Sequence, residues 1–439
     1  MEYVPTSEKN RIKTWIWIYV FFLLFEGVFR KWIFPSQSNL FFIIRDPVAA
    51  IIIIMSLKRY SIPFKPFIFS LIGVGIASFM TALLFGHGSL LVALFGLRPF
   101  ILHFPLAFVI GTVFNKSDVL KLGRFMIFLL PFMTLLAITQ FYSPQSSWVN
   151  RGVGGDLAGA GFGGALGYFR PPGTFSFING LALYYGLSSA FLFYFMLNPK
   201  YISKYILIVG IVSTLLSIPF SISRTVFFQD ILCFSFFIFP ILKRPTLLKR
   251  ISIIFLLSIL LILIFKDRPI ITTPINAFTS RFESASISEG GLKGTLIDRV
   301  FVTLWDALLN SPDVKTFGVG LGANSNVGVN ILDKSKDIAL YDYEWYRMIY
   351  EIGPILGILF IFIRIVILAK IIKIAIMSYR NHQFLPWMLL SFGFLLILQG
   401  QIAQPTSLGF ITLIIGLLIA SCKNRDSQLN YQRFHMNSL

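Results

Sequence analysis

Cysteine and histidine are scarce in this chain of 439 residues, which holds two of the former and four of the latter. Cys233 lies within one apolar segment and Cys422 at the end of another, so no structural disulfide is expected. The motifs His-Glu-x-x-His, Gly-x-Ser-x-Gly, Cys-x-x-Cys and the phosphate loop are all missing. The run 318–322 (GVGLG) lacks the spacing of a dinucleotide site, and we expect it to form a tight turn.

Charged residues are also few, at 13% of the chain, and the mean hydropathy is +0.77. The apolar residues form unbroken runs such as 251–265 and do not alternate with polar residues as membrane β-strands do. Roughly 20 apolar residues cross the hydrocarbon core as a helix. The composition therefore predicts an all-α polytopic membrane protein of about twelve transmembrane helices.

These helices are separated by connections of contrasting charge. We expect the helices near 14–34, 40–57, 66–85, 88–114, 119–142, 174–198, 201–222, 225–242, 250–266, 345–377, 383–400 and 407–422. Most lysines and arginines then fall on one side: Lys9, Arg11, Lys13, Lys58, Arg59, Lys65, Lys116, Lys121, Lys200, Lys204, Lys243, Arg244, Lys249, Arg250, Lys370, Lys373, Arg380, Lys423, Arg425 and Arg433. The positive-inside rule makes that side cytoplasmic. The net charge of +19 thus needs no nucleic-acid partner.

Four regions follow from this arrangement. Residues 1–266 hold the first nine helices, with a retained amino-terminal anchor and a glycine-rich outer loop at 143–172 that we expect to lie over an outer cavity. Residues 267–344 form a large outer, periplasmic loop, 345–422 the last three helices, and 423–439 a cytoplasmic tail. Loops of that size are usually functional. Within the large loop, 295–310 has the apolar stripe of an amphipathic helix.

Ionisable residues on the outer side are the candidates for chemistry, because charges at membrane depth are costly. They are mostly arginines, whose planar guanidinium suits phosphate oxygens: Glu26, Arg30, Arg45, Asp46, Arg98, Arg170, Arg224, Arg281, Arg299 and Arg347. A plainer interpretation pairs Glu26 with Arg30, lets Arg45 and Asp46 serve neighbouring helices, and places Arg30 and Lys31 at the membrane interface. Arg98 lies deep in its helix, which favours a cavity-lining role.

Several short motifs share their order with those of a known family: 170–175 (RPPGTF) leading into a helix, 223–225 (SRT), 280–282 (SRF), Arg299 with Trp305 and Ala307, 318–322 (GVGLG), and 351–353 (EIG) leading into a long helix. In this order, from about residue 165 to 400, the chain resembles the O-antigen polymerase and ligase superfamily. The resemblance implies a lipid-dependent membrane glycosyltransferase architecture of the GT-C-like kind.

The resemblance also implies roles for particular residues. Arg170, Arg224, Arg281 and Arg299 would bind the substrate diphosphate, with Arg98 deeper, and Arg224 and Arg281 would count among the catalytic residues. Where many members carry a His-Asn pair before 351–353, this chain has 342–345 (DYEW). Asp342 or Glu344 would then be the general base. We expect no metal and no cofactor.

The function implied is a glycan polymerase that transfers a growing polysaccharide from polyprenyl diphosphate onto a lipid-linked repeat unit. Its setting would be the outer face of the bacterial inner membrane, with the active site facing the periplasm, in the synthesis of O-antigen, capsule or exopolysaccharide. Expected partners are the lipid-linked donor and acceptor, membrane lipid and a chain-length regulator protein. Two alternatives remain: an O-antigen ligase that transfers glycan to lipid A-core or protein, and a polysaccharide or lipid transporter or flippase.

Overall fold

The structure is a computed structural model that describes residues 6–57, 65–243, 248, 267–288, 315–332 and 343–423. Within these ranges the chain is mostly helical. The helices are α1 (Thr6–Val28), α2 (Ser38–Phe42), α3 (Arg45–Leu57), α4 (Lys65–Leu84), α5 (Leu90–Arg98), α6 (Phe104–Val113), α7 (Lys116–Tyr142), α8 (Ile178–Leu197), α9 (Lys204–Ser221), α10 (Arg224–Leu242), α11 (Pro269–Ser288), α12 (Asn326–Ile331), α13 (Glu344–Arg380), α14 (Phe384–Gln399) and α15 (Pro405–Ser421). Short π-helical turns (Phe29–Ile33, Pro99–His103), short 3-10 turns (Pro35–Gln37, Trp148–Asn150, Pro199–Tyr201) and a two-stranded antiparallel sheet, β1 (Gly163–Ala165) and β2 (Tyr168–Phe169), complete the regular elements of the described residues.

Nine of the described helical segments are long and apolar enough to cross a membrane: Ser7–Ile33, Pro35–Leu57, Lys65–Leu84, Leu90–Val113, Lys116–Tyr142, Ile178–Leu197, Lys204–Ser221, Arg224–Leu242 and Glu344–Arg380. Two shorter apolar helices, Phe384–Gln399 and Pro405–Ser421, follow. These segments confirm the class of all-α polytopic membrane protein. The number of twelve stays a prediction, since the expected helix at 250–266 lies outside the described residues.

Helix boundaries follow local chemistry. α7 begins at a capping box in which the Asn115 side chain accepts from the Asp118 backbone N–H, while Asp118 accepts from the Asn115 backbone N–H. α10 begins at Ser223, whose side chain caps Val226. Inside the segment 90–113, α5 and α6 are joined by a π-helical turn, Pro99–His103, because Pro99 lacks the N–H that continues an α-helix.

α8 and α15 form the centre of the bundle. α15 packs along α6, and α8 packs against α7, α10 and α14. α8 buries nearly all of its side chains, whereas α9 and α4 expose most of one face, as expected for helices that contact lipid. The core they enclose is lined by aliphatic and phenyl side chains.

The predicted long outer loop contains helical structure. α11 lies at its start and packs against α9 and β1, and α12 lies closer to α13 in the chain and packs against α5. The predicted helix at 345–377 is longer, and Gly353 (φ 79°) breaks its regular geometry near the amino terminus. The amphipathic segment 295–310 lies outside the described residues.

The connections divide into two faces. On one, here called the loop face, the segments 34–44, 85–89, 143–177, 315–325 and 400–404 contact one another or the helix ends beside them: Trp32 donates to the Trp148 carbonyl, and His87 pairs with the Leu321 carbonyl. On the other, Lys13 pairs with Asp118 at 2.6 Å and Tyr379 donates to the Phe239 carbonyl. The basic connections predicted to be cytoplasmic lie on this second face where they are described.

Cysteine labelling tests which face is outside. In a variant without Cys233 and Cys422, Ser284→Cys in α11 is expected to react with a membrane-impermeant maleimide in intact cells, because the positive-inside rule places the loop face outside. Lys200→Cys, an exposed residue of the opposite face, should react only after the membrane is permeabilised. The reverse pattern would contradict the predicted orientation.

Candidate functional site

The glycine-rich loop forms a small hairpin that holds Arg170. Leu166 (φ 53°) and Gly167 (φ 80°) make the turn between β1 and β2, a geometry typical of tight hairpins. Tyr168 stacks on Phe141 of α7 with the ring centroids 4.5 Å apart. The Arg170 backbone N–H donates to the Phe162 carbonyl at 2.9 Å. The ring stack therefore holds the hairpin against the bundle, and the backbone hydrogen bond fixes the position of Arg170 at the end of β2.

Arg224 is the first residue of α10. The chain turns sharply before it, with Ile222 in the left-handed region (φ 47°). Backbone N–H groups without helical partners and the helix dipole both make such an amino terminus favourable for an anion. The position of Arg224 therefore adds a guanidinium to a helix end that already favours negative charge.

Arg281 is carried by α11, which brings it from the long loop to the hairpin. Phe282 on the same helix contacts the rings of Phe227 and Phe228 in α10. Ala277 is buried against α7 and α9. Arg281 donates to the Gly164 carbonyl in β1 at 3.3 Å. Packing of α11 thus fixes Arg281 on the hairpin.

The three guanidinium groups of Arg170, Arg224 and Arg281, here called the arginine site, lie close enough to influence one another. Burial lowers the pKa of Arg170 to about 10, with further lowering by the charges of Arg281 and Arg224. Arg170 Nε is buried and has no hydrogen-bond partner among the described residues. Arg170 is thus a half-buried cation whose pKa is lowered by neighbouring cations. An anion bound beside it would be stabilised.

Arg98, predicted to lie deep in the same cavity, is instead paired. Its guanidinium binds Asp46 at 2.6 Å and lies over the Phe95 ring, 3.4 Å from the centroid. The other Asp46 oxygen pairs with His103, which in turn bonds the Tyr19 hydroxyl. Arg98 also lines a small cavity beside Arg347 and Glu351, in agreement with the expected cavity-lining role. Its part in binding the diphosphate stays a prediction. Arg299 and Asp342 lie outside the described residues.

Glu344 lies in a buried network at the start of α13. Its carboxylate accepts from Arg347 Nε and Nη2 at 3.0 and 2.9 Å, from Arg364 at 3.2 Å and from the Ile402 backbone N–H at 3.2 Å. The residue is 3% exposed, so its carboxylate is buried inside the bundle. These bonds occupy both oxygens, and the geometry gives Glu344 a structural part. Its role as a base stays a prediction.

Glu351 extends the network to the loop face. It accepts from Arg347 at 2.9 Å and from the backbone N–H groups of Gly322 and Asn324 at 3.0 and 2.9 Å. The predicted tight turn at 318–322 is confirmed, because Gly318, Gly320 and Gly322 all have positive φ. The resemblance in motif order included Glu351 but gave it no role. Its contact with the turn is seen only in the folded chain, because Gly322 and Glu351 lie 29 residues apart in the sequence.

Arg30 and Lys31 do not anchor the membrane interface as expected. Arg30 binds Glu26 at 3.0 Å, as predicted, and Ser176 at 2.9 Å. Lys31 is fully buried and donates to the Gly173 carbonyl at 2.7 Å. Both side chains fasten the end of α1 to the loop that follows Arg170, since burial would otherwise leave their donors unpaired.

A cavity of about 730 Å³ opens on the loop face beside these elements. It is lined by amide side chains, phenyl rings and two arginines, including Asn326, Asn330, Gln401, Phe42, Phe177, Arg30 and Arg347. Phe177 contacts Phe162, the residue whose carbonyl accepts from the Arg170 backbone. The cavity and the arginine site therefore lie on neighbouring parts of one surface. The glycine-rich loop was expected to lie over an outer cavity, and its Val153 lines this one. Sequence reasoning did not identify the other walls, because they come from three further connections and from helices such as α5, α12 and α13.

The described residues contain no group of three His, Cys, Asp or Glu side chains placed as metal ligands. No protein-family model, no characterised protein and no solved structure matches this chain.

Proposed function

We propose that the protein is a membrane glycan polymerase, which transfers a growing polysaccharide from polyprenyl diphosphate onto a lipid-linked repeat unit. The observation that carries the proposal is the arginine site, in which Arg170 has a buried, unpartnered Nε and two cationic neighbours. A diphosphate would compensate these charges, and the guanidinium fork matches its oxygens. The motif resemblance supplies the glycan chemistry.

In the proposed reaction a hydroxyl oxygen of the acceptor sugar bonds to the anomeric carbon of the donor glycan. The bond between that carbon and the diphosphate oxygen breaks, and polyprenyl diphosphate leaves with the electron pair. Arg170, Arg224 and Arg281 stabilise the charge that develops on the leaving group. The hydroxyl proton passes to a base, for which Asp342 is our candidate because the Glu344 oxygens already accept five hydrogen bonds.

The proposal extends to setting and architecture. We place the enzyme in the bacterial inner membrane with the loop face toward the periplasm, where lipid-linked repeat units are joined, and assign it to the GT-C-like lipid-dependent glycosyltransferases. Its partners would be the lipid-linked donor and acceptor, with a chain-length regulator. The O-antigen ligase is the nearest alternative, since it would use the same diphosphate-linked donor.

Deletion of the gene tests the proposal. We expect the surface glycans of the deleted strain to lose long chains and keep single repeat units attached to their acceptor, because transfer to the acceptor would continue without polymerisation. The measurement is gel separation of surface glycans, with the deleted strain carrying the wild-type gene on a plasmid as the control.

Other gel patterns would contradict it. Loss of all glycan from the acceptor would favour a ligase. Accumulation of repeat units on the cytoplasmic side would favour a flippase. Unchanged chain length would remove the polymerase proposal altogether.

A further inference from the structure

Carboxamides are the main polar groups in the lining of the cavity on the loop face. Six amide side chains contribute to its walls: Asn39, Asn324, Asn326, Asn330, Gln401 and Gln404. Each carboxamide offers both hydrogen-bond donors and an acceptor. Asn179 donates to Gln404 at 2.9 Å and so holds one of these side chains in place. A wall of this kind suits a ligand covered with hydroxyl and acetamido groups.

Phenyl rings and aliphatic side chains supply the apolar part of the wall. Phe42, Phe95 and Phe177 line the cavity, and Phe42 stacks on Phe95 with the centroids 5.7 Å apart. Aromatic walls with a few convergent polar groups are typical of small-molecule sites, which commonly measure roughly 300–1,000 Å³. Arg30 lies over the Phe42 ring and Arg98 over the Phe95 ring, so these two rings are covered on their faces and present their edges. The flat apolar face of a sugar ring would lie against Phe177, while its hydroxyls reach the amides.

Both arginines in the wall are ion-paired. Arg30 pairs with Glu26 at 3.0 Å, although Glu26 also pairs with Arg45 at 3.2 Å, and Arg347 pairs with Glu344 and Glu351, both at 2.9 Å. No aspartate or glutamate is among the described residues that line the cavity. The wall therefore presents uncharged amides, apolar groups and ion-paired arginines. Uncharged sugars match these groups without the need for an acidic substituent.

We propose that this cavity binds the uncharged sugars of the glycan, while the arginine site binds the diphosphate. The cavity and the arginine site are connected through Phe162. Its ring contacts Phe177 in the cavity wall, and its carbonyl accepts a hydrogen bond from the Arg170 backbone N–H. The inference rests on the proposed function for the identity of the ligand as a glycan. It adds that the sugars recognised in this cavity carry no acidic groups.

Binding of a glycan that has lost its diphosphate tests the inference. The probe is the oligosaccharide that mild acid releases from the polyprenyl-diphosphate-linked fraction of cells carrying the chain. Saturable binding to the purified full-length protein in lipid nanodiscs is expected. The double variant Asn326→Ala/Asn330→Ala should raise the Kd about tenfold, because two hydrogen bonds to the ligand are lost.

Two further variants keep the result interpretable. Both substituted asparagines are exposed, so the fold should tolerate their loss, and Asn381→Ala, an exposed asparagine at the opposite end of α13, should leave the Kd unchanged. Ala403→Trp fills the cavity from another wall and should abolish binding. Raising the salt from about 0.05 M to about 0.5 M should change the Kd less than about twofold, because the bound sugars carry no charge.

Failure of this inference differs from failure of the proposed function. Equal Kd values for the wild type and the double variant, or no saturable binding up to about 10 mM probe, would overturn it. A steep loss of affinity with salt would overturn the assignment to uncharged sugars. If the oligosaccharide binds as expected but the protein joins no repeat units, the polymerase proposal fails and the carbohydrate site stands.

Discussion

Replacing Arg170 by lysine is expected to slow glycan joining by about 10²- to 10³-fold, the effect of removing one well-placed donor to a developing anion. Lysine keeps the positive charge but loses the planar fork that binds two phosphate oxygens together. The measurement is the rate at which the purified protein joins lipid-linked repeat units. Arg380→Lys, an exposed arginine at the opposite end of the bundle, is the matched control. A normal rate for Arg170→Lys would rule out a diphosphate at the arginine site.

Stability measurements separate binding from folding at the same residue. Arg170→Met removes a charge that lies beside those of Arg224 and Arg281, and it removes the buried, unpartnered Nε. We expect the Tm of the ligand-free protein not to fall, because both changes relieve unfavourable interactions. Added inorganic pyrophosphate should raise the Tm of the wild type and have little effect on the variant. A pyrophosphate effect that survives in Arg170→Met would place the anion elsewhere.

Glu344→Gln is expected to reduce the amount of folded protein, with a loss of roughly 3–5 kcal/mol, the usual cost of breaking a buried ion pair by removing one partner. The glutamine NH₂ would face guanidinium donors of Arg347 and Arg364, and Arg364 would keep its charge without its carboxylate. The measurement is thermal unfolding in detergent together with membrane yield. Glu283→Gln, an exposed glutamate on α11, serves as the control.

The same variant distinguishes a structural carboxylate from a base. If Glu344 acted as the base, Glu344→Gln would keep the wild-type Tm and yield, and its joining rate alone would fall by about 10² to 10⁴. A well-folded but slow variant would therefore return the base role to Glu344. Asp342→Asn, which changes the other predicted carboxylate, is the parallel measurement; we expect it to slow joining without loss of folded protein.

The arginine site shows what the order of short motifs can predict about which residues lie together. Arg170, Arg224 and Arg281 were predicted together from short motifs, and the structure places them at the hairpin, at the start of α10 and on α11. Arg98 was predicted with them on depth alone, and it is paired with Asp46. Depth indicates that a charge needs a partner, but it does not distinguish a carboxylate from a ligand.

Apolar runs by themselves determined the class of the fold, because backbone groups in a bilayer must be satisfied within a helix. Predicted segments such as 201–222 and 119–142 accordingly match α9 and α7 within a few residues. Only the tertiary structure decided which charges are neutralised. Asp46 meets Arg98 across 52 residues of chain, and Glu351 meets the Gly322 backbone across 29. Such pairs form where packing brings helices and loops together. The distance between two residues in the folded chain does not depend on the number of residues between them in the sequence.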